Sequence, residues 1–191
     1  MRAVADTAGA GATGELPFFV YGTLRPGEPN YELYMRGRTA REEPARLEGA
    51  LLYDGPGYPY VIEAPGTVVG DLVTAKPGEY GELLTVLDGL EEYVAPGDPA
   101  NVYDRVARDV LSAGGTTVSA WVYFAAPRVA QELRARGRLI AGGDWLAHAG
   151  PYARAAYSPA RQAGPAHARP GRAAPAPSGP EPALPPLPHS P

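Results

Sequence analysis

Cysteine is absent from the 191 residues, which removes disulfides, thiolate catalysis and thiolate metal ligation together. Histidine is nearly absent too. Of three histidines, one, His148, falls between residues 16 and 150, and the serines of that span are Ser112 and Ser119. Both serines lie in or beside an expected hairpin turn, so a Ser-His-Asp triad has no elbow to sit on, and a zinc site has no ligand set. Between residues 16 and 150 neither G-x-G-x-x-G nor a P-loop motif occurs, so no cofactor is expected. A net charge of −4 offers no electrostatic footing for nucleic acid or an anionic membrane. The first fifteen residues contain no apolar run of about seven, and nowhere is there one of about eighteen. A soluble, cytoplasmic protein without metal or cofactor is the expectation. Carboxylates and tyrosines remain as acid/base candidates.

Composition divides the chain into three. Residues 1–15 are Ala, Gly and Thr with scattered charge, and read as a disordered leader. In residues 151–191, 12 of 41 positions are proline, which predicts a disordered tail. Within it, Leu184-Pro185-Pro186-Leu187-Pro188 has the form of a polyproline ligand, although a passive tail needs no partner. The working domain is therefore 16–150. Strands are expected at Phe18–Tyr21, Leu47–Tyr53, Tyr60–Glu63, Thr67–Ala75, Tyr103–Leu111 and Thr116–Phe124. Helices are expected at Tyr31–Arg36, capped by Asn30, at Glu79–Tyr93 and at Val129–Ile140. In the last strand Val118, Ala120, Val122 and Phe124 alternate with Ser119, Trp121 and Tyr123. These elements predict a mixed α+β domain, whose strands would lose their exposed edges by closing into a small barrel.

Two places concentrate chemistry. Phe18-Phe19-Val20-Tyr21 is an apolar strand that runs into Gly22-Thr23-Leu24-Arg25. Glycine after a strand lets turn amides gather around a carboxylate or an oxyanion, although a tight turn alone would also suffice. The second place is Glu91. At 100° per residue it falls between Tyr80 and Leu84, within the stripe formed with Leu83, Leu87 and Leu90. A carboxyl on that face is desolvated and its pKa raised towards neutrality, unless the helix stops by Leu90 and leaves Glu91 in a solvated turn. Asp88 sits at the edge of the stripe and Glu92 outside it. No calcium-loop spacing surrounds the three, so no metal is expected.

Six stretches in order resemble the γ-glutamylcyclotransferase-like (AIG2-like) family. They are Tyr21-Gly22-Thr23-Leu24-Arg25, Gly57-Tyr58-Pro59, Val69-Gly70-Asp71-Leu72, Leu87-Asp88-Gly89-Leu90-Glu91, Tyr103-Asp104-Arg105 and Gly142-Gly143-Asp144-Trp145. The resemblance implies a small mixed β-barrel with flanking helices, and release of 5-oxoproline from a small γ-glutamyl substrate. It places the family's catalytic glutamate at Glu91. Gly22, Thr23 and Leu24 would bind substrate through backbone amides, with Tyr21, Arg25, Tyr103 and Arg105 as further substrate-side candidates. Cyclotransferases need neither cofactor nor enzyme nucleophile. The alternatives are removal of a γ-glutamyl group from a biosynthetic intermediate, and a non-catalytic barrel that binds a small acidic metabolite. The proline-rich connection from Tyr93 to Val102 departs from the family pattern and bears on specificity.

Overall fold

The computed structural model describes residues 14–156. The expected leader up to residue 13 and the expected tail beyond 156, with Leu184–Pro188, lie outside the described residues.

Among the described residues six strands and three α-helices follow one another. They are β1 (Phe18–Val20), β2 (Thr39–Asp54), β3 (Pro59–Ala75), α1 (Tyr80–Leu90), β4 (Tyr103–Ser112), β5 (Thr117–Ala125), α2 (Pro127–Arg136), β6 (Arg138–Leu139) and α3 (Trp145–Ala156). The sheet order β3-β1-β5-β4-β2 returns to β3, because β2 also pairs with β3. Five strands therefore form a closed barrel, which abolishes its edges. Its one parallel pairing joins β1 to β5 at Phe18 and Trp121. β6 is added on β2, with Tyr53 opposite Leu139.

Side-chain alternation sorts the barrel into two faces. Phe19, Leu47, Leu52, Val61, Val68, Leu72, Val110 and Val122 meet in one buried cluster that includes Trp145 of α3. Phe18, Val20 and Val73 point the other way, against Met35, Leu83 and Leu87. Leu83 and Leu87 are fully buried, and each contributes about 2 kcal/mol by leaving water. α1 is thus fixed to the outside of the barrel beside β1 and β5.

Several boundaries differ from expectation. β2 starts at Thr39 rather than Leu47, because its charged first half is held by pairing with β3 and buries little. The two strands expected over Tyr60–Ala75 are one. Opposite Gly49, whose φ is +73°, the register jumps from Glu48–Thr67 to Ala50–Glu63, so a bulge absorbs Pro65 and Gly66. Asn30 gives no side-chain cap to the single wide helical turn Tyr31–Met35. α2 begins with Pro127 at its first position and stops at Gly137, leaving residues 138–139 for β6. α1 ends at Leu90, not Tyr93. α3, absent from the expectations, runs to Ala156 through a kink at Gly150.

Candidate active site

The turn after β1 is tied from one side only. The Arg25 amide donates to Gly22 O at 3.0 Å, and the amides of Asn30 and Tyr31 both donate to Thr23 O. Asn30 Nδ2 donates to Thr23 Oγ1 at 2.9 Å, so this asparagine braces the turn instead of capping the helix. The amides of Gly22, Thr23 and Leu24 enter none of the turn's backbone bonds among the described residues. Gly22 is required by proximity. A Cβ there would stand 2.7 Å from Cγ and Cδ of Pro59. Arg25 is buried and doubly engaged, donating from Nε to Asp71 at 2.7 Å and from an Nη to Asp144 at 2.9 Å. Its charge anchors the turn to β3 and to the segment before α3.

Glu91 closes α1. Its amide bonds to Leu87 O, so the helical hydrogen-bond ladder reaches one residue past the helix, and its own φ/ψ of −86°/5° lies in the bridge region. The stop is a Schellman arrangement: Tyr93 N–H reaches Asp88 O at 2.9 Å and Glu92 N–H reaches Gly89 O. Glu92 occupies the left-handed position with φ +50°, where glycine is usual. Glu92 is exposed, while Glu91 is partly accessible. Desolvation alone pushes the Glu91 carboxyl up to about 8. The helix thus ends at Leu90, and the residue after it carries a partly accessible carboxyl whose pKa is raised by desolvation.

Four tyrosines surround this carboxyl closely enough to feel its charge: Tyr21, Tyr60, Tyr103 and Tyr123. Burial, first of all, raises every one of these phenols above its ordinary value. Tyr21 donates its hydroxyl proton to Tyr123 O at 2.6 Å, and Tyr103 donates to Pro59 O at 3.2 Å. Tyr103 stacks on Tyr60 with centroids 5.1 Å apart. Pro59 thus touches Tyr103 and crowds Gly22, which links the turn to β4. Arg105 pairs with Asp88.

Glu91, Tyr21 and Tyr103 accordingly share one neighbourhood, with Gly22 reached through Pro59. Arg25 and Arg105 are committed to carboxylates of the protein. Sequence reasoning passed over Tyr60, Tyr123 and Asp88 as site residues. The alternation in β5 did put Tyr123 on the face of Trp121, and Asp88 lies three residues before Glu91, so signals for two of them existed. Among the described residues no group of three or more His, Asp or Glu side chains is placed to hold a metal ion.

The profile of a family described as γ-glutamyl cyclotransferase, AIG2-like, matches residues 18–147. A Niallia circulans protein named γ-L-glutamyl-butirosin B γ-glutamyl cyclotransferase is 39% identical over 105 residues, which are 55% of this chain and 64% of that protein. The chain thus spans just under two thirds of that relative's length. A Drosophila melanogaster relative is 30% identical over 116 residues, 56% of this chain and 67% of its own. The crystal structure of an AIG2-like protein from Mus musculus matches with a TM-score of 0.51 at 24% identity, covering 72% of this chain and 91% of that one. This last likeness shows the shared fold.

Proposed function

The chain belongs to the γ-glutamyl cyclotransferase, AIG2-like family, and we propose that it releases 5-oxoproline and a free amine from a γ-glutamyl amine or peptide. What supports this is a desolvated glutamate at the position that the resemblance assigns to the family's catalytic residue, its carboxyl pushed up to about 8. Such a carboxylate lies closer to an amine in basicity than an ordinary one does, so proton exchange with an amine is less uphill.

In this reading Glu91 takes a proton from the substrate α-ammonium. The freed nitrogen attacks the γ-carbonyl carbon, the new C–N bond closes the five-membered ring, and the old C–N bond breaks. Glu91 returns that proton to the nitrogen of the breaking bond. The ring nitrogen, which still carries two hydrogens after its attack, passes one more through Glu91 to the departing amine, so that a neutral lactam and an ammonium result. The amides of Gly22, Thr23 and Leu24, left out of the turn's own bonds, receive the substrate carboxylate or the developing oxyanion. Tyr21 and Tyr103 have their hydroxyl protons engaged by protein acceptors. What they offer an incoming ammonium is oxygen lone pairs, which suits a cation. Because the reaction is an intramolecular closure, holding the amine against its own carbonyl supplies much of the acceleration. Arg25 acts at one remove, through the turn that it anchors.

A second reading is favoured by the Niallia relative's name: the γ-glutamyl group is a protecting group on a biosynthetic amine. One experiment addresses both. The protein is incubated with γ-glutamyl dipeptides, γ-glutamyl alkylamines and a γ-glutamylated aminoglycoside, and 5-oxoproline is measured by mass spectrometry. Turnover confined to the aminoglycoside selects the second reading. No product from any member, with the protein folded, leaves a barrel that binds an acidic metabolite without turning it over.

A further inference from the structure

Around Glu91 three side chains that the chemistry above does not consume form one connected assembly. Asp88 lies one helical turn before Glu91, and both of its oxygens are taken. Oδ1 accepts the Tyr123 hydroxyl at 2.7 Å, and Oδ2 accepts from an Nη of Arg105 at 2.5 Å. The Arg105 guanidinium lies over two rings, 5.0 Å from the centroid of Tyr93 and 4.9 Å from that of Trp121. Tyr93 comes two residues after Glu91. One cation on β4 therefore grips the chain on both sides of Glu91, before it by an ion pair and after it by a ring face.

Tyr123 extends the assembly to the other half of the site. Its hydroxyl holds the helix that bears Glu91, while its backbone carbonyl accepts the hydroxyl of Tyr21. Tyr21 in turn is the residue from which the Gly22–Leu24 turn departs.

We propose that Asp88, Arg105 and Tyr123 are positioning residues that together form a clasp, fixing Glu91 relative to the turn whose amides receive the substrate. For Arg105 this replaces a role in contacting substrate. One Nη of its guanidinium holds Asp88, two rings lie against it, and its Nε is buried without a partner. Net stability is a poor reason for such a pair, because desolvating two charges offsets most of their attraction. Geometry is the better one. An error of about 1 Å in the placement of a reacting group can slow a reaction roughly a hundredfold. The pair also screens Glu91 from a like charge three residues away on the same helix. The groups facing Glu91 from the barrel are the phenols of Tyr21, Tyr60, Tyr103 and Tyr123, all raised above their ordinary range. None of these phenols therefore titrates between pH 4 and 9.

The kinetic half of the test rests on the cyclotransferase reading, and the spectroscopic half does not. Tyr123→Phe deletes the hydroxyl and keeps the carbonyl; Arg105→Gln removes the charge. The ¹³C resonance of the Glu91 carboxyl, assigned by its loss in Glu91→Gln, is titrated in the full chain and in each variant. In Tyr123→Phe, which leaves the ion pair intact, the clasp predicts a midpoint lowered by about one pH unit or more, as the loosened carboxyl gains water. It also predicts kcat lowered about tenfold to a hundredfold with KM changed less than about threefold. Arg105→Lys should recover part of kcat, since it keeps the charge but not the planar stack. A raised KM with unchanged kcat in Arg105→Gln would make Arg105 a substrate ligand and overturn the clasp. An unmoved midpoint in folded Tyr123→Phe would overturn it as well, and that variant decides between the two if Arg105→Gln does not fold. Should the wild type turn over no γ-glutamyl compound, the functional reading fails, while the titration still supports or overturns the clasp.

Discussion

Replacing Glu91 with glutamine separates what the residue does for chemistry from what it does to stability, and the two effects have opposite signs. In the folded protein the carboxyl titrates at about 8, against 4.5 in an ordinary solvated setting. Below pH 4.5 both states are protonated, and the group favours neither. As pH rises past 4.5 the unfolded chain ionises while the folded one does not, so stability falls. It goes on falling until the folded carboxyl ionises near 8. With 1.36 kcal/mol per pH unit, 2.5 units of mismatch at pH 7 amount to about 3 kcal/mol. Glutamine keeps the shape and cannot ionise. Glu91→Gln should therefore be more stable than the wild type by about 3 kcal/mol at pH 7, or roughly 10 °C in melting temperature, and no more stable at pH 4. Urea unfolding of both proteins at pH 4, 5.5, 7 and 8 measures this directly. Turnover in the same variant should fall by about two orders of magnitude or more, because the base is gone. Glu92→Gln, exposed and one residue on, should show neither effect. A stability difference that is absent at pH 7, or that does not vary with pH, would refute the desolvation argument. Near-normal turnover in Glu91→Gln would refute the assignment of the base.

Three further substitutions probe the surroundings. Glu92→Gly relieves a side chain in the left-handed region and should stabilise the domain by about 1 kcal/mol, read as a rise of a few degrees in Tm, with turnover intact. Gly22→Ala drives a Cβ into the Pro59 ring and should lower stability by about 1–3 kcal/mol; turnover should fall beyond the unfolded fraction, because the turn amides move with it, and denaturant titration beside initial rates separates the two. Asn101 accepts from the Val94 amide and donates to Ala95 O and Asp104 Oδ1, so Asn101→Ala should unpin the 93–102 connection. Amide exchange at Val94 should accelerate, with a loss of about 2 kcal/mol in urea unfolding.

How much of this was legible beforehand depended on whether the cause was local. β5 was legible because its two faces contrast. Val118 to Phe124 fill the barrel while Trp121 and Tyr123 face α1. The front of β2 was not, since residues 39–46 carry charge on a strand whose reason to exist is its ladder with β3. Pro65 and Gly66 spelled a break, and only the partner's Gly49 shows how a bulge carries the strand through them. Near the end of α1, Glu91 was legible from the stripe, because its amide still bonds to Leu87 O and continues the 100° progression for one more residue. Tyr123 was not, since its importance lies in a bond to Asp88 across 35 positions. No periodicity encodes that.

The end of α1 shows how far local rules reach before tertiary contacts overrule them. Gly89 is the residue that local propensity offers as a stop, since glycine favours the left-handed position that closes a helix. The helix instead runs through Gly89 and stops with Glu92 in that position, at a strain that Gly89 would have avoided. Two contacts account for the displacement. Leu87 must be buried against the barrel, and Tyr93 must lie over Arg105 while that guanidinium holds Asp88. A stop three residues earlier would place residue 89 at the left-handed position and carry residue 91 out of the stripe, away from the four phenols. Glu92 is left-handed because Glu91 is held where it is, and the strain at one residue is the local expression of the fixed position of its neighbour.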